Sequence, residues 1–198
     1  ITLSQTAAVQ FTQEECDFSG DGSQNTPYQI STAAQLAKLA AQVNAGNANF
    51  NGKCYILMDN IDLSGYGESY TNLNGDEGWV PIGNYDRKFT GVFDGNGHTV
   101  SGLYVNVTTM CSDNRKHAGL FGYLGTGGTV KNLGVRGSVK ATWPGGTSNL
   151  AGGIAGYSEG GIISNCYSTC DVMATGNSYN ISGGIVGYNY DGGTITNC

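Results

Sequence analysis

Two sets of residues in this sequence have the residue types of hydrolytic enzymes, but neither has the complete spacing. Residues 156–160 read Gly-Tyr-Ser-Glu-Gly and match the turn that carries the serine nucleophile of many hydrolases. That chemistry needs a histidine after the serine, whereas His98 and His117 both precede it. Zinc peptidase chemistry needs two histidines one helical turn apart with a glutamate between them, and these two are 19 residues apart. We therefore assign no catalytic residue and predict no metal site and no cofactor.

Acidic residues supply the remaining candidate for catalysis. Asp76, Glu77 and Asp86 lie near Arg87 in one loop region. Glycoside hydrolases use paired carboxylates, and calcium-dependent lyases use clustered acids with a basic group nearby. In a repeat protein such acids would recur at the repeat spacing, and they do not. We interpret this segment as a solvated acidic loop and keep catalysis as the alternative.

Three tyrosines are the candidate binding residues. Tyr123, Tyr157 and Tyr188 each end a glycine-rich hexapeptide. Strand alternation places them opposite the apolar residues three positions earlier, so they face outward. A tyrosine stripe could bind sugar rings or a partner protein, because tyrosine offers a rigid, amphipathic surface. The other interpretation is an aromatic ladder that stabilises the fold beneath neighbouring loops.

Composition and charge restrict the class of partner. Glycine supplies 33 of 198 residues and proline only 3, while the formal net charge is −6. This charge should repel nucleic acids and anionic membranes. No apolar run of 18 residues occurs, so we predict no membrane insertion.

The hexapeptide that ends in tyrosine is an internal repeat. It occupies residues 118–123, 152–157 and 183–188, at steps of 34 and 31 residues. Each copy is followed by a short segment that begins with glycine and continues with β-branched residues. Repeats of this length cannot bury their own apolar faces, so they must stack on one another.

A second column of the repeat contains only glycine and asparagine. Gly102, Asn132, Asn165 and Asn197 follow one another at steps of 30, 33 and 32 residues. At this position the strand alternation breaks, and a residue with positive φ would turn the chain. Glycine and asparagine adopt positive φ more readily than other residues. We predict a one-residue structural corner here, with the three asparagine amides forming a ladder.

These patterns predict an all-β protein, a right-handed parallel β-helix with an N-terminal amphipathic capping helix. The helix is predicted over residues 31–43, where apolar residues recur on one face. We interpret residues 1–198 as one domain, with an N-terminal segment and helix at 1–53, rungs at 54–198 and the clearest repeats at 118–198. Because residue 198 follows a corner, we expect the natural protein to continue with further repeats.

The repeat resembles that of the GLUG family of bacterial secreted and surface proteins. The resemblance is carried by residues 152–157 and 160–167, which read Gly-Gly-Ile-Ala-Gly-Tyr and Gly-Gly-Ile-Ile-Ser-Asn-Cys-Tyr. Segments 26–33, 61–65 and 93–100 are similar to N-terminal parts of large exported proteins of gut and oral bacteria. The resemblance implies export, an extracellular or cell-surface location and a noncatalytic role. Some members resemble adhesins, and some lie beside immunoglobulin A metallopeptidase domains.

We therefore predict the noncatalytic repeat region of an exported bacterial cell-surface protein, acting in adhesion or as a spacer. It could be an accessory region of an immunoglobulin A peptidase-like protein. The expected partner is a host glycan or a host surface protein, and the chain is expected to be monomeric. The alternative is a polysaccharide lyase or glycoside hydrolase built on a β-helix.

Overall fold

The computed structural model describes residues 17–71, 76–109, 111–143, 145 and 148–198. Within these ranges the chain forms one α-helix, α1 (Ala33–Asn44), a 3-10 turn at Ser64–Tyr66 and eighteen short strands. The strands are β1 (Tyr28–Ile30), β2 (Cys54–Leu57), β3 (Ile61–Asp62), β4 (Glu77–Gly78), β5 (Val92–Asp94), β6 (Thr99–Val107), β7 (Arg115–Ala118), β8 (Phe121–Leu124), β9 (Thr129–Lys131), β10 (Gly134–Trp143), β11 (Ser148–Gly152), β12 (Ala155–Glu159), β13 (Ile162–Ser164), β14 (Tyr167–Ser168), β15 (Asp171–Gly176), β16 (Tyr179–Gly183), β17 (Val186–Tyr190) and β18 (Thr194–Thr196).

The strands stack into parallel sheets that run along the molecule. One sheet has the order β1-β2-β5-β9-β13-β18, and a second has the order β14-β10-β6-β3, with β15 also paired to β10. Two three-stranded sheets have the orders β16-β11-β7 and β17-β12-β8. The short β4 is the antiparallel exception, paired with β6. Neighbouring strands come from successive turns, so the fold is a parallel β-solenoid, as predicted for the fold class.

The sequence repeats pair in register, one repeat per turn. Tyr157 lies opposite Tyr123 on one side and Tyr188 on the other. Ile163 likewise lies between Val130 and Ile195. Equivalent residues therefore form columns along the stack, and a column of apolar side chains on the inner face makes a continuous core.

The corner column has the backbone conformation that its composition requires. Gly102, Asn132, Asn165 and Asn197 have φ values of 67°, 54°, 52° and 52°. Asn165 Nδ2 donates to Asn132 Oδ1, and Asn197 Nδ2 donates to Asn165 Oδ1, both at 3.2 Å. At Gly102 a Cβ atom would lie 2.8 Å from Ser64 N, so the close approach of the neighbouring turn also excludes a side chain there.

The helix α1 joins the core at the N-terminal end of the stack. Thr32 is its N-cap and forms a capping box with Gln35, whose backbone N–H it accepts at 3.2 Å. The buried side chains of Leu36, Leu39 and Val43 pack in the same apolar cluster as β1. This arrangement agrees with the predicted capping helix. In the part of the chain that the structure describes, no helix has the length and hydrophobicity needed to cross a membrane.

Candidate functional site

The three repeat tyrosines form an aromatic ladder on the outside of the solenoid core. The ring centroids of Tyr123 and Tyr157 are 4.6 Å apart with an interplanar angle of 22°. Those of Tyr157 and Tyr188 are 5.3 Å apart, tilted by 31°. Parallel in-register pairing of β8, β12 and β17 produces this stack, because each tyrosine occupies the same position in its strand.

The expectation of an exposed stripe is wrong for two of the three tyrosines. Tyr123 and Tyr157 are only 3% and 5% exposed, whereas Tyr188 is 40% exposed. Strand alternation correctly predicts the side of the sheet but not what covers it. The ring of His117 packs edge-on against Tyr123 at 5.1 Å and against Tyr157 at 5.6 Å. Tyr85 covers Tyr123 from a loop, with ring centroids 6.0 Å apart.

A polar network holds the Tyr123 end of the tyrosine ladder in place. Tyr123 Oη donates to Glu159 Oε2 at 2.6 Å, and Lys88 Nζ donates to the same oxygen at 2.5 Å. Lys88 also lies 5.0 Å from the centroid of the Tyr123 ring. These contacts lower the pKa of the Glu159 carboxyl, chiefly through Lys88 and then Tyr123. Burial, followed by the hydrogen bond to Glu159, raises the pKa of Tyr123 above its ordinary value. Tyr123 is therefore a structural part of the fold.

The Tyr188 end of the tyrosine ladder opens into a groove of about 560 Å³. We call it the aromatic groove; it is lined by Arg115, Ser148, Leu150, Tyr157, Tyr179, Ile181, Tyr188 and Tyr190. Tyr179 and Tyr190 are 75% and 53% exposed. The rings of Tyr188 and Tyr190 are nearly parallel, at an angle of 25° with centroids 6.3 Å apart. The exposed aromatic surface of the groove thus lies on β16 and β17. Of its three exposed tyrosines, the sequence pattern identified only Tyr188.

The polar groups of the aromatic groove come from three successive turns. Arg115 lies in β7 opposite Ser148 in β11, and Ser148 lies opposite Tyr179 in β16. Burial raises the pKa of the Tyr157 hydroxyl, and the adjacent Arg115 guanidinium partly opposes that effect. The arrangement combines flat apolar faces with a cation and hydroxyl groups, which suits a ligand that has both apolar faces and hydroxyls.

A second concave region, of about 370 Å³, contains the acidic residues considered for catalysis. We call it the acidic cleft; its lining includes Asn84, Asp76, Asp86, Cys111, Ser112 and His117. Asp76 Oδ1 accepts the backbone N–H groups of Thr108 and Thr109 at 2.7 and 2.8 Å, and both threonine hydroxyls donate to the carboxylate. Asp86 accepts the Ser112 hydroxyl at 2.7 Å. These carboxylates hold Thr108, Thr109 and Ser112 in place, so their contacts are those of structural residues.

Other members of that acidic region have similar local contacts. Glu77 accepts from Asn106 Nδ2 at 2.9 Å, and Arg87 Nη1 donates to the Asp86 carbonyl at 3.1 Å. The serine of the hydrolase-like segment, Ser158, lies buried within β12 rather than on a turn between a strand and a helix. Its setting therefore lacks the context that makes such a serine nucleophilic.

The acidic cleft also brings together three residues that sequence analysis did not combine. A ligand atom from each of Cys111, Asp113 and His117 lies within 4.8 Å of the other two. Burial raises the pKa of the Cys111 thiol to about 11, and the Asp113 charge adds to the effect. Burial also raises the pKa of the Asp113 carboxyl, but the nearby His117 ring, 3.4 Å away, and the hydrogen bond from the Arg115 N–H outweigh it, so the net shift is downward. A search for paired histidines does not find this set. In the sequence, the short Cys-x-Asp-x-x-x-His spacing is what could have indicated that the three residues lie together.

Comparison with known proteins identifies the repeat class. A sequence model described as the GLUG motif matches residues 147–173, which include β11, β12, β13 and β14. The chain is thus a parallel β-solenoid that carries a GLUG motif, and the resemblance seen in the sequence is confirmed over those residues.

Two relatives share longer stretches of sequence. Halomucin of Haloquadratum walsbyi is 38% identical over 117 residues, covering 59% of this chain and 1% of that protein. A Gly-rich membrane protein of Evansella cellulosilytica is 33% identical over 146 residues, covering 74% of this chain and 15% of that protein. This chain therefore spans only a small part of the relatives that it matches.

A solved structure from Bacteroides ovatus also has a similar chain course. It is described as a candidate immunoglobulin A1 protease and is 20% identical to this chain. The superposition covers 89% of this chain and 66% of that one, with a TM-score of 0.44.

Proposed function

We propose that this chain is a noncatalytic repeat region of an exported surface protein and that it binds glycans in the aromatic groove. The observation that carries the proposal is the cluster of Tyr179, Tyr188 and Tyr190 beside Arg115. A pyranose ring presents an apolar C–H face and a rim of hydroxyls. Tyrosine rings stack on such a face, and the guanidinium and hydroxyl groups around them can bond to the rim.

The charge of the protein favours a neutral or weakly charged glycan over a polyanion. The formal net charge is −6, so a nucleic acid or a highly sulfated chain would be repelled overall. Arg115 is the cation of the groove lining and would favour a single carboxylate-bearing or hydroxyl-rich sugar unit.

Three further observations support a place at the cell surface. The stacked, repeat-built solenoid suits an extended part that holds other regions at a distance. One relative is named halomucin and another is named a membrane protein. An accessory role beside an immunoglobulin A peptidase remains a prediction from the sequence resemblance.

Binding of the labelled chain to an array of glycans, mucins, matrix proteins and immunoglobulin A tests this function. We expect saturable binding to at least one glycan, with no cleavage of the bound glycan. Replacement of two of the three exposed groove tyrosines, Tyr188→Ala and Tyr190→Ala, should reduce that binding at least tenfold. Tyr167→Ala is the matched control, because this tyrosine is also exposed but lies outside the groove.

The other results have distinct meanings. A blank array would overturn glycan binding and favour the spacer role, which the asparagine ladder and continuous core support independently. Cleavage of a bound glycan would overturn the noncatalytic assignment and favour the lyase or hydrolase alternative. Binding that persists in the double variant would place the site elsewhere on the solenoid.

A further inference from the structure

The chain has a largely buried group of potential metal-binding side chains that the glycan-binding function does not use. Cys111 and Asp113 lie on the turn before β7, and His117 lies within β7. The side chain of His117 is 1% exposed and that of Asp113 is 8% exposed. Among the described residues, neither ring nitrogen of His117 nor Oδ2 of Asp113 has a hydrogen-bond partner. Buried polar atoms are rarely left without a partner in native proteins, so this cluster requires an explanation.

The local backbone holds these residues in position. Cys111 N donates to the Arg115 carbonyl at 3.1 Å, and Asn114 N donates to the Cys111 carbonyl at 3.0 Å. Asn114 has a φ of 65°, which reverses the chain between Cys111 and His117. Asp113 Oδ1 accepts the Arg115 N–H at 3.2 Å, leaving Oδ2 directed toward His117. The turn therefore presents one sulfur, one oxygen and one nitrogen to a common point.

We infer that Cys111, Asp113 and His117 bind a divalent transition-metal ion of the Zn²⁺ class, with a fourth position open to the acidic cleft. In a tetrahedral zinc site, oxygen and nitrogen ligands at about 2.0–2.1 Å from the metal lie about 3.3–3.4 Å apart. His117 Nε2 and Asp113 Oδ2 are 3.4 Å apart, which matches that separation. The thiol of Cys111 lies within 4.8 Å of both atoms and would complete the set at about 3.5–3.6 Å from each, and its proton leaves to solvent on binding.

The donor set selects the class of ion. Calcium and magnesium prefer six or more oxygen ligands, including water, whereas thiolate and imidazole suit zinc and its neighbours. The acidic cleft contains Cys111 and His117 in its lining together with Asp76 and Asp86. Zinc sites that keep water or another ligand bound have three protein ligands and a fourth coordination position that is open to solvent. The proposed site has this arrangement.

Cobalt substitution tests the site on the chain as it exists. After treatment with a chelator, titration with Co²⁺ should saturate at one equivalent and produce d–d bands together with a thiolate-to-cobalt charge-transfer band. Titration with Zn²⁺ should then remove both signals. Cys111→Ser should abolish the charge-transfer band, and Asp113→Asn should weaken binding at least tenfold. Cys198→Ser, which changes an exposed thiol outside the cluster, should change neither.

A second measurement uses no variant, so poor folding of a substituted chain cannot obscure the result. Zn²⁺ should protect Cys111 from alkylation more than tenfold, as mapped by mass spectrometry, while Cys54 and Cys170 react at unchanged rates. Absence of a charge-transfer band in the native chain, or equal alkylation of Cys111 with and without Zn²⁺, would overturn the inference. Metal binding that survives both Cys111→Ser and Asp113→Asn would assign it to another site.

Discussion

The side-chain amide of Asn165 donates to the amide oxygen of Asn132, the equivalent residue one turn earlier, at 3.2 Å. Both residues have positive φ, so the same side chains that allow the corner also connect successive corners. Asn197 continues the connection with the same 3.2 Å distance. The repeat is thus specified twice at one position, by backbone conformation and by a hydrogen-bond ladder.

Replacing Asn165 separates these two contributions. Asn165→Ala removes both ladder bonds and places a Cβ-bearing residue without a local hydrogen-bonding side chain at positive φ. We expect it to lower the free energy of unfolding by about 2–3 kcal/mol. Asn165→Gly removes the ladder but tolerates positive φ, so its cost should be about half as large. Urea unfolding of the two variants measures the difference, and equal costs would show that corner strain contributes nothing.

Core burial can be tested with two adjacent isoleucines. Ile163 is fully buried in the column between Val130 and Ile195, whereas Ile162 is 43% exposed on the opposite face of β13. Ile163→Ala should lower the free energy of unfolding by about 2–5 kcal/mol, since it leaves a cavity in a continuous core. Ile162→Ala should cost less than about 1 kcal/mol. Similar costs for the two variants in urea unfolding would contradict the assigned strand register.

The sequence reveals the solenoid because periodicity and corner chemistry agree. The column of Gly102, Asn132, Asn165 and Asn197 identifies the turn length, and the tyrosine hexapeptide supplies its register. Both patterns lie within each repeat and recur along the chain, so they can be recognised without knowledge of any long-range contact. The helix could be predicted as readily, because Leu36, Leu39 and Val43 recur on one face, and all three are buried.

The details of the candidate sites could not be predicted from the sequence, because they depend on contacts between residues that do not recur with the repeat. Tyr85 covers Tyr123 from a loop, and His117 in β7 packs against both Tyr123 and Tyr157; alternation says nothing about such cover. The role of Asp76 depends on Thr108, 32 residues away. The Cys111–His117 grouping depends on a turn with positive φ at Asn114, a position outside the repeat. Features that interrupt a repeat carry no periodic signal.

Asp76 provides a test of whether the acidic cleft is structural or catalytic. Its carboxylate accepts two backbone N–H groups and two hydroxyls, and an amide could not accept all of them. Asp76→Asn should therefore lower the free energy of unfolding by about 1–3 kcal/mol while leaving glycan binding unchanged. Asp86→Asn, at an exposed acid of the same cleft, should cost less than about 1 kcal/mol. Loss of a measurable turnover in either variant, with stability intact, would instead support the catalytic alternative.

The network around Glu159 predicts a pH-dependent contribution to stability. The folded-state pKa of Glu159 is lowered by Lys88 and Tyr123, so its contribution is present above the ordinary value of 4.5. That contribution is lost as the pH falls through the lowered folded-state value. Glu159→Gln should therefore be less stable than the native chain at about pH 7 and less stable by a smaller margin at about pH 3.

Urea unfolding of both chains at the two pH values checks this prediction. Other carboxyl groups titrate in both chains, so their effects cancel in the difference between them. A difference in stability that is the same at both pH values would show that the charge on Glu159 contributes nothing beyond its hydrogen bonds.

Titration calorimetry of a glycan that binds the native chain tests the central proposal most directly. The native chain, the Tyr188→Ala/Tyr190→Ala variant and the Tyr167→Ala control would be compared at equal protein concentration. We predict at least a tenfold weaker affinity for the double variant and an unchanged affinity for the control, because only the former removes exposed rings from the aromatic groove. Equal affinities for all three chains would contradict the assignment of glycan binding to this groove.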